Sequence, residues 1–306
     1  MIKKKEKTRG LALLSGGLDS ILGVKVLQKQ GLDITGISFV SYFFNNDLAK
    51  KAVKELKIEL KTIDISNDHL NMVKNPIYGR GKTINPCIDC HLMMIKKAGE
   101  FLKKNNFEFI STGEVLGQRP MSQNKQAMRL IEKESGFEGY LLRPLSAKLL
   151  KPTIVEEKGL VERDKLLDIS GRSRKKQMLL ANKWKIKKYP SPSGGCILTD
   201  INFGEKLKKL FEKWPNCNGQ DVQLLKIGRY FWEGNNLIIV GRNKEENGKI
   251  HKLKQKPVSP TGGGDVIIEP KKFSGPTVLI RGKDNILERS LIKAKDLIIK
   301  YSKKIK

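Results

Sequence analysis

The sequence predicts an α/β chain: a parallel sheet with helices on both faces, then a basic linker region and a smaller α+β C-terminal domain. Three observations carry this prediction. Short apolar runs alternate with helical patterns from about residue 10 to residue 115; a glycine pair followed by Asp and Ser stands at the first strand-to-helix junction; and short strands dominate from about Asp221 onward.

Taken in order, Gly10 to Leu14 is an apolar strand, and the helix after it carries Ile21, Leu22, Val24 and Leu27 on its apolar side. A strand at Ile34 to Val40, a helix at Asp47 to Leu56 and a strand at Leu60 to Ile65 follow. A loop with Pro76, Gly79, Gly81 and Pro86 leads to Cys87, a helix is expected over His91 to Lys104, and Phe107 to Thr112 closes the alternation. Tyr140 to Leu145 reads as extended, and Pro152 suits the first turn of a helix. Arg172 to Lys188 reads as a strongly basic helix with Met178, Leu179, Leu180 and Trp184 on one side. Strands at Leu237 to Val240 and Val266 to Ile268 and a helix at Asn285 to Tyr301 complete the chain. The expected domains are residues 1–145, 146–220 (the basic region with the third cysteine) and 221–306.

Among the 306 residues, 60 Lys plus Arg face 32 Asp plus Glu, a formal charge of +28. Such a balance favours a polyanionic partner, because cations that neutralise phosphates release counterions. No apolar run reaches the length of a membrane span, and the basic start lacks a signal-peptide core, so no membrane role and a cytoplasmic location are expected. Four cysteines are too few for a disulfide scaffold of this size.

Ser15-Gly-Gly-Leu-Asp-Ser20 directly follows the first strand and opens the first helix. Glycines there let backbone N–H groups approach an anion, and the helix start adds positive potential. Gly16 and Gly17 supply the turn, the hydroxyls of Ser15 and Ser20 suit phosphate oxygens, and Asp19 suits loop orientation or Mg²⁺. An ordinary turn with a side-chain helix cap is the plainer alternative. The segment resembles the signature of the N-type ATP pyrophosphatases of the PP-loop class, which share a HUP-like, Rossmann-type sheet. That resemblance implies ATP-dependent adenylation of an oxygen, with pyrophosphate released.

Cys87 and Cys90 form a Cys-x-x-Cys pair, and Cys196 follows a loop rich in Pro, Ser and Gly. Three thiols suit a [4Fe–4S] cluster with one open iron, a zinc site completed by His91 or Cys217, or a thiol pair that carries a persulfide and resolves it as a disulfide. The helix expected after Cys90 would lower a nearby thiol's pKa. Cys217 reads as a buried, inert cysteine. Asn85-Pro-Cys-Ile-Asp-Cys90-His, Phe109-Ile-Ser-Thr-Gly113 and Ser193-Gly-Gly-Cys196-Ile-Leu-Thr-Asp resemble segments of the tRNA 2-thiouridylases. By that resemblance Cys90 and Cys196 handle sulfur, Cys87 joins them as a third cluster ligand, and Thr112 and Gly113 line the nucleotide. The family's Gly-His is replaced by Gly113-Glu114, so those contacts do not transfer.

Arg172, Arg174, Lys175, Lys176, Lys187 and Lys188, interleaved with Trp184 and Tyr189, suit an RNA-facing surface. Gly228-Arg-Tyr-Phe, Val240 to Asn247 and Gly275 to Arg281 resemble the RNA-associated domain of NFACT-type proteins. Together these readings predict a tRNA-uridine sulfurtransferase. ATP, Mg²⁺ and a [4Fe–4S] cluster would be its cofactors, tRNA its substrate, and hydrosulfide, a cysteine desulfurase or a sulfur carrier its sulfur source. C2 and C4 of the base both remain open here. So do a desulfidase, a small-molecule synthetase or amidotransferase, and an RNA-binding module with a degenerate loop.

Overall fold

The computed structural model describes residues 7–190, 195–255 and 264–302. The chain divides into two compact units, Met1–Thr199 and Asp200–Lys306.

In the first unit β1 (Arg9–Leu13), α1 (Leu18–Gln28), β2 (Asp33–Val40), α2 (Asp47–Leu56), β3 (Leu60–Asp64), α3 (Ser66–Lys74), α4 (Cys87–Asn105), β4 (Phe109–Thr112), α5 (Lys125–Ser135) and β5 (Leu141–Leu142) follow in sequence. The strands form one parallel sheet in the order β3-β2-β1-β4-β5. Its inner strands β1, β2 and β4 are largely buried and mostly apolar because both faces are covered, whereas the edge strand β3 is only partly buried. Ala12, Ile34 and Phe109 face a core shared with Leu18, Ile21 and Leu22 of α1 and Ala49 and Ala52 of α2. Leu11, Ile37 and Ile110, one pleat position away, face a second core with Ile95, Ala98 and Leu102 of α4 and Ile131 of α5. This is the predicted α/β class.

Residues 146–190 do not form a region of their own. Two short helices, α6 (Ile154–Glu157) and α7 (Lys175–Lys183), belong to the first core through Ala147, Val155, Leu166, Ala181 and Ile186. Burial therefore puts the boundary at 199/200. α7 is shorter than the basic helix expected from the sequence, and it buries Gln177 and Ala181 while Met178 and Leu179 are exposed. The loop before Cys196 includes residues 191–194, which lie outside the described residues, as do Ser193 and Gly194 of the thiouridylase-like motif.

The second unit contains α8 (Ile201–Lys213), α9 (Gly219–Leu224), β6 (Arg229–Glu233), β7 (Asn236–Val240), α10 (Lys244–Leu253), β8 (Gly264–Ile268), β9 (Val278–Gly282) and α11 (Glu288–Tyr301). Its antiparallel sheet has the order β6-β7-β9-β8, with Ala294, Leu297 and Ile298 of α11 packed on Ile238, Val240 and Ile280. This is the smaller α+β part. Arg281, 1% exposed, donates to Asp265 at 2.7 Å and to Asp221 at 3.0 Å, so that two acids surround the buried guanidinium. Cys217 is buried, as its inert reading requires. Among the described residues no helix is long and apolar enough to cross a membrane.

Candidate active site

β1 lies in the middle of the sheet, and the chain turns to β2 on one side and to β4 on the other. Open parallel sheets bind ligands outside the strand C-termini at such a reversal. The Ser15–Ser20 loop leaves β1 at that point, and Gly113 leaves β4 beside it.

The loop's glycines are demanded by close approach. Gly16 has φ +80°, and a Cβ there would sit 2.2 Å from the Leu48 backbone. A Cβ on Gly113 would sit 2.5 Å from the Ser20 backbone, so β4's end and α1's first turn are nearly in backbone contact. Gly17 is the N-cap of α1 and no side chain caps it. The alternative of an ordinary side-chain cap is thereby removed, and the first-turn N–H groups remain available to an anion. Ser15 is exposed, whereas the buried Ser20 donates its hydroxyl to Gly17 O at 2.8 Å. Asp19 accepts from Gln118 Nε2 at 3.0 Å on Oδ2, while its Oδ1 is buried with no hydrogen-bond partner among the described residues. That orphaned oxygen fits a cation such as Mg²⁺.

Cys87 and Cys90 lie in the first turn of α4, not ahead of it. Pro86 is its N-cap and its carbonyl accepts from Cys90 N–H at 2.9 Å. Asp89, buried between them, accepts from the N–H groups of Ile77 and Tyr78 at 2.8 and 3.1 Å and holds the preceding loop. Asn85 Nδ2 donates to Cys87 Sγ at 3.1 Å. Thr83 Oγ1 lies 2.7 Å from Leu198 O and 2.9 Å from Asn85 Oδ1, which ties the Cys196 segment to the loop before the cysteine pair.

Burial pushes the Cys90 thiol well above its usual value, and the neighbouring Cys196 and Cys87 sulfurs push it further. The expected lowering by a helix start is outweighed, because an apolar surrounding penalises the thiolate more than the first-turn dipoles favour it. Cys196 is exposed as a residue, yet its thiol is also raised, by burial first. The three sulfurs are near neighbours. Among the described residues, however, no three His, Cys, Asp or Glu side chains are arranged to hold a metal ion. The expected [4Fe–4S] ligand set is therefore not preformed, and His91 and Cys217 do not complete a zinc site.

Sequence reasoning missed the partner of Cys90. His69 of α3, fully buried, places Nε2 2.9 Å from Cys90 Sγ and Nδ1 2.6 Å from Ser41 Oγ. Phe43 and Phe44 flank its ring at centroid distances of 5.3 and 5.2 Å. Desolvation lowers its pKa from 6.5 to about 4, so the imidazole is neutral at pH 7. With the thiol protonated, its S–H donates to Nε2 and the single imidazole proton, on Nδ1, donates to Ser41. No motif flags a histidine in the middle of a helix some twenty residues before the cysteine pair.

Glu114, the departure from Gly-His, turns inward. Its carboxylate lies 2.7 Å from His91 Nδ1 and 3.0 Å from Arg143 Nε, and Arg143 also reaches Glu132 at 2.7 Å. Burial opposes its charge, but Arg143 and His91 together outweigh it and hold the carboxyl at about 2. Thr112 donates to the same carboxylate at 3.0 Å, so its hydroxyl is directed inward.

Of the expected RNA contacts, Arg172, Lys175, Lys176, Lys187 and Lys188 are exposed and Arg174 is half-buried. Lys176 pairs with Asp168 at 3.3 Å.

The sequence profile of the family described as "Thiamine biosynthesis protein (ThiI)" matches residues 6–166. The chain is 27% identical over 219 residues to the tRNA-specific 2-thiouridylase MnmA of Karelsulcia muelleri, covering 67% of this chain and 54% of that one. It is 31% identical over 143 residues to a probable tRNA sulfurtransferase of Finegoldia magna, covering 45% and 36%. The chain thus spans about half the length, or less, of the curated relatives it matches. Among solved structures, a 4-thiouridine synthetase–RNA complex with bound ATP superposes at a TM-score of 0.38 and 19% identity, covering 72% of this chain and 52% of that chain.

Proposed function

The chain belongs to the ThiI family, whose profile matches just over half of it, and from that membership together with the thiol cluster we propose that it is an ATP-dependent tRNA-uridine sulfurtransferase. The relatives named above act on tRNA and transfer sulfur by their names, and the +28 charge suits a polyanionic substrate.

ATP binds at the Gly16–Gly17 turn with its phosphates on the uncapped N–H groups of α1. Asp19 would hold Mg²⁺, which neutralises charge on the phosphates when bound. A uridine lifted out of its stack presents a carbonyl oxygen that attacks the α-phosphorus; the bond to pyrophosphate breaks and the base is O-adenylated. Cys196, the most exposed of the three cysteines, takes sulfane sulfur from a donor as a persulfide. The terminal sulfur attacks the activated carbon, AMP leaves, and the base is linked to Cys196 through a sulfur–sulfur bond. Cys90 then passes its proton to His69 Nε2, and its sulfur attacks Cys196 Sγ. The electron pair of the broken bond goes to the base as thiocarbonyl, and a Cys90–Cys196 disulfide remains for an external dithiol to reduce.

The observation that carries this reading is the buried His69 imidazole 2.9 Å from a thiol that itself neighbours Cys196. A [4Fe–4S] cluster has no preformed ligand set among these thiols. Stoichiometric iron and acid-labile sulfide in anaerobically purified protein would replace the persulfide by a cluster. Purified protein given tRNA, ATP and a sulfur donor should form thiouridine with one pyrophosphate and one AMP per sulfur. No thiouridine in that assay, together with unchanged thiouridines in tRNA of a strain lacking the gene, overturns the proposal. ATP-independent loss of sulfur from thiolated tRNA would make the protein a desulfidase.

RNA contact by the second unit belongs to the same proposal. Lys206 and Lys213 stand 5.0 and 5.4 Å from the ring centres of Tyr230 and Trp232 on the edge strand β6.

A further inference from the structure

α7 runs beside α1 in the same direction. It begins four residues after Gly171, whose N–H donates to Leu116 O at 2.7 Å. Leu116 lies two residues before Gln118, the residue that holds Asp19 in the first turn of α1. At their other ends the two helices flank an open cavity of about 320 Å³ lined by Lys25, Gln28 and Lys29 at the end of α1 and by Lys183, Trp184 and Lys185. The Ser15–Ser20 loop lies at the opposite end of α1, whose 11 residues span about 16 Å along the axis.

We propose that this cavity is a second RNA subsite, in which a phosphodiester of the tRNA is held by the lysines while an unpaired base stacks on Trp184. The inference rests on the sulfurtransferase reading for the identity of the polyanion and adds where the strand runs beyond the reacting base.

Four lysines line the cavity and no acidic residue does. None of the four lysines has an ion-pair partner among the described residues. The half-buried indole already carries Lys29 Nζ at 5.5 Å from its ring, so the lysine's charge and the stacking surface are presented together. The volume suits one nucleotide and is at the small end for a ligand pocket. An acidic protein segment would use the charges but has little use for an indole at this size. A nucleotide uses both, because base stacking on an aromatic ring and phosphate neutralisation add. The exposed cations at the start of α7, Arg172 and Lys175, continue the positive surface toward the phosphate loop.

Helix C-termini also favour lysines for local reasons, and the experiment separates the two roles. Lys29→Gln/Lys183→Gln and, separately, Trp184→Ala are made in the full chain, and binding of unmodified tRNA transcript is titrated between low and moderate salt. The double variant should lose about 0.7–0.9 per lysine from the slope of log K against log salt. Trp184→Ala should weaken binding about tenfold with little change in slope. ATP binding should stay near that of the parent in both, and the lysine variant should keep the parent's thermal midpoint, whereas Trp184→Ala also loses packing on the first core. A lowered midpoint with unchanged tRNA affinity and slope overturns the subsite and leaves the lysines as helix-end residues. Unchanged tRNA affinity with impaired delivery from a protein sulfur donor also overturns it, in favour of a protein contact. Failure of the parent protein to bind tRNA at all removes the sulfurtransferase reading and this inference with it; normal parent binding with indifferent variants removes only the inference.

Discussion

The phosphate loop and the thiol cluster sit in the same unit but are built in opposite ways. The loop is six consecutive residues whose chemistry is backbone N–H groups at a helix start, held by Gly16 against the backbone of α2 and by Gly113 against that of α1. The cluster gathers side chains from the turn after β2, from within α3, from the first turn of α4 and from the segment after residue 195. Backbone sites fail when a single Cβ intrudes, whereas side-chain sites fail one function at a time. In a two-step reaction the first kind of damage should remove everything, and the second should separate activation from sulfur transfer.

The largest expected effect breaks the loop. Gly16→Val sets a branched side chain against the Leu48 backbone at positive φ. It should abolish tRNA-dependent pyrophosphate release and cost on the order of 3 kcal/mol of stability, read by denaturant titration. Cys90→Ser and Cys196→Ser, in contrast, should abolish thiouridine formation while leaving pyrophosphate release within a few-fold. Equal loss of both half-reactions would refute the division of labour.

Arg143→Met tests the support beneath the site. It leaves Glu114 and Glu132 without their shared cation, and removal of one partner from a buried ion pair costs about 3–5 kcal/mol. The thermal midpoint should drop accordingly. The second unit offers the matching experiment, since Arg281→Met strands Asp265 while Asp221 keeps Lys283 at 2.6 Å.

His69→Gln should slow sulfur transfer about 10²-fold or more, the usual contribution of a positioned proton acceptor. Its readout is thiouridine formed per adenylated tRNA, with pyrophosphate release preserved.

The smallest expected effect is in the pH profile of stability. His69 has its pKa lowered from 6.5 to about 4, so between those values the unfolded chain binds the extra proton and stability falls as pH falls. Glu114, lowered from 4.5 to about 2, contributes stability that is complete above 4.5 and lost toward 2. His69→Gln should flatten the upper limb alone, and Glu114→Gln the lower limb alone. A profile without the upper limb in the parent would mean that the imidazole is solvated.

The alternation of apolar runs made the first sheet legible, because a strand buried on both faces favours apolar residues and Leu11, Ala12, Ile37 and Phe109 carry that pattern. The fate of the middle region was not legible: Val155, Leu166 and Ala181 are spaced too irregularly to say which core they join. α7 misled for a related reason, since Met178 and Leu179 look like a buried face while the fold buries Gln177 instead.

The sequence by itself determined the glycine turn at the start of α1, because its glycines and the helix start are adjacent in the chain. It also singled out Cys87, Cys90 and Cys196 together, through their motifs. Only the tertiary structure decided that His69 would bind Cys90, that Glu114 would turn to Arg143 and His91, and that burial would raise the Cys90 thiol despite its helix start. Those outcomes depend on which side chains are brought within about 3 Å of one another and how much water is excluded around them, and neither quantity is written along the chain.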